Sequence, residues 1–140
     1  MSTPETQMQA PEDGAREGTP LDQRLAGLSA RAMRVLRDVR QAIDRRDARG
    51  ADALLERARP LAGEHPEFLR LLGITRQLQG RSDDAIAALR GALEKVPGDA
   101  LTLTNLGTAL RASGDIESAI VTLRRATDLA PDLAAAWYNL

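Results

Sequence analysis

The sequence predicts an all-α protein assembled from stacked helix-turn-helix units. Ala, Leu and Arg dominate while Phe68, Trp137 and Tyr138 are the only aromatics, a balance that favours helix over strand. Apolar residues recur at intervals of three and four along most of the chain, the spacing that gathers them on one helical face. The sequence also repeats itself at a constant interval of 34 residues, which is the mark of a modular helical stack.

In chain order, residues 1–19 mix Pro, Gly, Glu, Gln and Thr with almost no large apolar side chain. They cannot bury enough surface to offset the entropy of ordering, and a disordered tail is expected there. Pro20 after Thr19 suits a helix start, since the missing N–H would have lacked an intrahelical partner. From Leu21 the apolar residues Leu25, Leu28, Ala32, Val35, Leu36, Val39 and Ile43 predict one long amphipathic helix ending near Asp47.

Shifting the sequence by 34 residues places Leu69 on Leu103 and Trp137, and Leu72 on Leu106 and Leu140. The agreement continues through Gly73 and Gly107, Gly80 and Gly114, Ala85 and Ala119, Ile86 and Ile120, Leu89 and Leu123, Ala92 and Ala126, and Pro97 and Pro131. Each unit reads as two helices separated by QGRSDD (79–84) or ASGDIE (112–117). Gly80 and Gly114 suit the left-handed residue after a helix end, and Ser82 or Asp83 can accept from the free N–H groups of the next helix. Gly73 and Gly107 allow the second helix of a unit to approach the first, the recurrent alanines keep that approach close, and Pro97 and Pro131 stop the second helix.

These residues resemble the tetratricopeptide repeat family, whose 34-residue pattern carries Leu, small, Ala and Pro positions in this order. Residues 100–133 match through Leu103, Leu106, Gly107, Ala119, Leu123, Ala126 and Pro131, and residues 66–99 through Leu69, Leu72, Gly73, Ala85, Leu89, Ala92 and Pro97. Residues 32–65 are a degenerate copy that keeps Ala51, Leu55 and Ala58 but has Asp38, Val39 and Gly63 where the Leu, Gly and Pro belong. A truncated copy, 134–140, supplies Trp137 and Leu140. The resemblance implies a right-handed α-solenoid over residues 20–140. The last copy stops one residue before its expected glycine, so the expectation is the N-terminal piece of a longer protein or a cut fragment of one, whose uncovered end at Trp137, Tyr138 and Leu140 is open to self-association.

Several function classes are disfavoured. Nineteen basic against twenty acidic residues give a net charge of −1, so no general attraction to nucleic acid or to anionic membranes is expected. The sequence has no cysteine, which removes thiol chemistry and thiolate metal sites. No apolar run approaches the roughly 20 residues that span a bilayer, and no signal peptide is evident, so the expected address is cytoplasmic. The single histidine, His65, lies in the loop sequence GEHPE without a catalytic or metal-ligating companion and reads as a surface residue. Asp83, Asp84, Asp115 and Glu117 fall at helix starts, where the helix dipole favours carboxylates. Arg31, Arg34, Arg37 and Arg40 recur every third residue, but at about 100° per residue each step drifts by about 60°, so they wrap around the helix instead of lining up. No cofactor, metal or catalytic activity is expected.

What remains is binding of a protein or peptide. By the family resemblance, the concave face takes the second, fifth, sixth, ninth and twelfth places of each unit: Glu67, Arg70, Leu71, Ile74 and Gln77, then Leu101, Thr104, Asn105, Thr108 and Arg111, then Ala135, Tyr138 and Asn139. The candidate contacts are Arg70, Thr104, Asn105, Thr108, Arg111 and Asn139. Asn105 and Asn139 occupy equivalent places, and this resembles the asparagine ladder in the repeat domain of O-linked N-acetylglucosamine transferases. An amide offers both a donor and an acceptor to a peptide main chain. The same asparagines would equally serve to tie neighbouring helices together. The alternative role for the chain is the substrate-presenting or oligomerisation module of a larger enzyme such as a sulfotransferase or glycosyltransferase.

Overall fold

The computed structural model describes residues 21–140; the expected tail at 1–19 and the helix start at Pro20 lie outside them. Eight helices make up the described chain: α1 (Leu21–Arg24), α2 (Ala30–Asp44), α3 (Ala48–Ala62), α4 (Pro66–Leu78), α5 (Ser82–Lys95), α6 (Ala100–Ser113), α7 (Ile116–Leu129) and α8 (Ala134–Asn139). They form the hairpins α2/α3, α4/α5 and α6/α7, with α8 opening a fourth unit. The first helices also touch one another, α2 on α4, α4 on α6 and α6 on α8, which makes them a continuous row along the stack.

The repeat positions are packing seats. Ala51, Ala58, Ala85, Ala92, Ala119 and Ala126 are all at most 2% exposed, so the alanines stand where two helices are closest. An ideal Cβ on Gly73 would lie 2.6 Å from Cγ of Leu89, and one on Gly107 would lie 2.5 Å from Cγ of Leu123. Both leucines are buried, so neither can withdraw cheaply and the small residue is required for the crossing. Gly80 and Gly114 have φ of 72° and 93°, the left-handed geometry that ends α4 and α6. The degenerate unit keeps the same backbone turn without the glycine, because Arg46 adopts φ 60° one repeat earlier. Helices α5 and α7 end at Lys95 and Leu129, just before Pro97 and Pro131.

Two expectations fail. The long helix from Leu21 to Asp47 is broken: α1 ends at Arg24, Gly27 turns the chain at φ 86°, and the Ser29 hydroxyl accepts from the Ala32 N–H at 3.1 Å to start α2 afresh. The break lets Leu25 turn into the core beside Leu36, Phe68 and Leu71, where it is fully buried. Burying a leucine stabilises by about 1.5–3 kcal/mol, enough to offset one or two helical hydrogen bonds at about 0.5–1.5 kcal/mol net each. The second failure is the cap of α5. Its N-cap residue is Arg81, and neither Ser82 nor Asp83 caps it, whereas Asp47 and Asp115 at the equivalent places accept from Gly50 N and Ser118 N. Arg81 instead pairs with Asp84 on the surface at 2.7 Å.

Among the described residues, no helix is long and apolar enough to cross a membrane, and no group of His, Cys, Asp or Glu could hold a metal ion.

Candidate functional site

The row α2, α4, α6, α8 presents the face on which the candidate contacts were placed. On α6, Thr104 is buried and donates its hydroxyl to Ala100 O at 2.8 Å, and Thr108 donates to Thr104 O at 3.1 Å. Both hydroxyls are committed to their own helix. Arg111 stands exposed in the last turn of α6. On α8, Asn139 donates from Nδ2 to Ala135 O at 2.7 Å. Asn105 differs from all of these: its Nδ2 is buried and has no hydrogen-bond partner. An unpaired buried amide donor costs about 1–3 kcal/mol.

Arg70 is not a free groove contact. Its side chain is 3% exposed, and its Nε donates to Glu67 Oε2 at 3.0 Å within α4. Glu67, 1% exposed at the side chain, also accepts from Nε of Arg24 at 2.7 Å. The two terminal nitrogens of Arg24 then fork onto the two oxygens of Asp99, Nη1 reaching Oδ1 at 3.0 Å and Nη2 reaching Oδ2. Asp99 further accepts from the Thr102 hydroxyl. Arg24 thus joins α1 to residues 43 and 75 positions downstream, and bidentate charge-assisted bonds of this kind are the strong ones.

The electrostatics follow from the geometry. Burial pushes the Glu67 carboxyl up, but the hydrogen bond and charge of Arg70, with those of Arg24, outweigh it and hold the group below the usual carboxylate range. Asp99 behaves alike: burial raises it, and Arg24, Thr102 and the charge of Arg70 together lower it. Burial acts to lower the Arg24 guanidinium, and Asp99 and Glu67 reverse this and raise it. Arg24, Glu67 and Asp99 are thus each held in their charged forms in the folded state.

His65 has a role that its sequence setting did not reveal. It is the N-cap of α4, with Nδ1 accepting from Glu67 N at 3.1 Å and Nε2 at 3.0 Å from Ala26 O. With Nδ1 as acceptor, Nε2 carries the proton and donates to that carbonyl. His65, Glu67 and Asp99 together fasten residues 24–26 across the first turns of α4 and α6. Arg24, Asp99 and Thr102 were not among the sequence candidates: Arg24 precedes the repeats, and Asp99 and Thr102 have no like residue one repeat away, where His65 and Leu133, and Phe68 and Ala136, stand.

Of the arginines of α2, Arg31, Arg34 and Arg37 are exposed and Arg40 is half-buried, paired to Asp44 at 3.2 Å.

Two models of the tetratricopeptide repeat family match the sequence, one over residues 36–100 and one over residues 76–140. Together they run unbroken from within α2 through the second and third hairpins and α8. The chain belongs to the tetratricopeptide repeat family. Among solved structures, this tetratricopeptide repeat chain is similar to a mutant O-GlcNAc transferase of Thermobaculum terrenum, with 33% identity and a TM-score of 0.69 over 74% of this chain and 20% of that one. The chain therefore spans about a fifth of that protein's length. No curated protein matches it.

Proposed function

We propose that the chain is a non-catalytic scaffold that binds an extended peptide or protein segment along its row of first helices. The observation that carries this reading is the uncommitted Nδ2 of Asn105 on α6, in a row where Thr104, Thr108 and Asn139 are bonded to backbone and Arg70 to Glu67. A main-chain carbonyl of a bound segment is the acceptor that would satisfy it. Arg111 and Asn139 flank Asn105 in this reading as further contacts, Thr104 and Thr108 shape the surface, and Arg70 acts through its ion pairs.

A panel of fluorescently labelled, unstructured peptides tests the proposal. Peptides that bind the unsubstituted chain are expected to lose at least about tenfold in affinity to Asn105→Ala with Asn139→Ala, the loss of one buried hydrogen bond to a main-chain group. The melting temperature should not fall. Unchanged affinity would return both asparagines to helix packing.

A second reading is favoured by the similarity to the O-GlcNAc transferase repeat region: the stack presents substrates to a larger enzyme. Sequencing the reading frame past Leu140 separates the two, since a following catalytic domain is required by the second alone.

A further inference from the structure

We propose that residues 24–28 are a built-in stop: they close the inner face of the first-helix row over α2 and α4, so that an extended guest segment is held from α6 onward and does not continue across α4. This deepens the reading of Asn105 as a main-chain contact and rests on it.

The inner face is set by the helix crossings. Gly73 approaches Leu89 of α5 and Gly107 approaches Leu123 of α7, which fixes the side that each first helix turns toward its own second helix. At about 100° per residue, Leu71 and Asn105, each two residues earlier, point about 160° away from that side, and Glu67 points about 120° away. Leu71 and Asn105 therefore hold one place on the opposite, inner face, a repeat apart, and Asn139 holds it again on α8.

On α4 that face is already covered, and by the chain itself. Arg24 donates to Glu67, and Ala26 O accepts from His65 at the start of α4. Leu25 joins Leu36 of α2 and Leu71 of α4 in one cluster where all three are fully buried, and Leu28 packs against it. Through the fork of Arg24 the cover reaches Asp99, the residue before α6. Held by these bonds and by a buried leucine, it stays in place when a guest binds.

The residue at the shared place changes where the cover ends. Beneath it stands Leu71, an apolar side chain with apolar partners. Beyond it stands Asn105, half-buried, with an Nδ2 that has no hydrogen-bond partner. A guest main chain meets a donor at Asn105, but at Leu71 it finds the seat filled and no donor to replace the water it gives up. Packed helices stand about 8–10 Å apart, the length of about three extended residues at about 3.3 Å each. A guest that touches both Asn105 and Asn139 thus does so through main-chain groups about three residues apart.

The sequence has no cysteine, so a single introduced thiol reads the cover directly. In the full chain, Leu71→Cys should react with maleimide at least about tenfold faster when Leu25→Ala is added, because the cover over that place is lost. Leu123→Cys should stay as slow with Leu25→Ala as without it, which distinguishes lost cover from unfolding. An unaccelerated Leu71→Cys overturns the stop. If both thiols accelerate because Leu25→Ala does not fold, the footprint of a guest on the unsubstituted chain decides. The tightest-binding peptide of the labelled panel, added to saturation, should move the side-chain amide resonances of Asn105 and leave the methyl resonances of Leu25, Leu36 and Leu71 in place. Movement of Leu25 and Leu71 together with Asn105 puts the guest over α4 and overturns the stop while the amide reading stands. A bound peptide that leaves Asn105 unmoved refutes the amide reading, and the stop with it.

Discussion

At the scale of single residues, the 34-residue period acts as an internal control, because each seat is filled several times. The left-handed turn is made by Gly80 and Gly114 and also by Arg46, and the helix cap by Asp47, Asp115 and, without a cap bond, Arg81. The copies show what each substitution costs the stack. Arg81→Asp restores the side-chain acceptor that the first turn of α5 lacks and is expected to raise stability by about 0.5–1 kcal/mol. A urea denaturation midpoint reads this directly, and no gain, once the exposed Arg81–Asp84 pair is allowed its own few tenths, would show that α5 has no need of a cap. The small residues were legible in the sequence for the same reason: Gly73 and Gly107 recur at one interval, and each meets its leucine at the same Cγ atom. The site residues were less so. Arg70, expected as a groove contact, is buried against Glu67; Glu67 is shared with Arg24, and a contact between residues 43 positions apart leaves no local pattern to read.

At the scale of elements, the informative case is the stretch before α2. Leu21, Leu25, Leu28 and Ala32 fit one continuous helical face, and periodicity alone cannot distinguish that helix from a short turn followed by a new start. What decides is tertiary: Leu25 is taken into the core, and Arg24 is held by carboxylates of α4 and the α6 start. Gly27 and Ser29 mark the break, a signal that the apolar period obscured. The fastening should be sensitive to acid. Glu67 and Asp99 are held below their ordinary values of 4.5 and 3.8, so the stability they contribute is fully present above those values and is lost as pH falls through the lower folded ones. Thermal melts from pH 6 to pH 2.5 should show a decline that steepens below about 4 in the unsubstituted chain and is shallower in Asp99→Asn. Parallel curves would mean that Asp99 carries no linked proton.

At the scale of the whole molecule, the hairpins repeat a single packing solution, and the first helices line up as one surface. Periodicity made this legible, since every recurrent alanine lies in a helix contact. In the last unit the indole N–H of Trp137 donates to Pro131 O at 2.8 Å, tying α8 to the turn before it. The claim beneath all of these is that side chains one repeat apart occupy equivalent helix-helix seats. It is tested most directly by the urea stabilities of Gly73→Ala, Gly107→Ala and Gly98→Ala. Gly98 has open space around it. The account predicts matching losses of about 1–3 kcal/mol at Gly73 and Gly107 with little change at Gly98. Neutral Gly73 and Gly107 variants, or a Gly98 variant as costly as either, would contradict it.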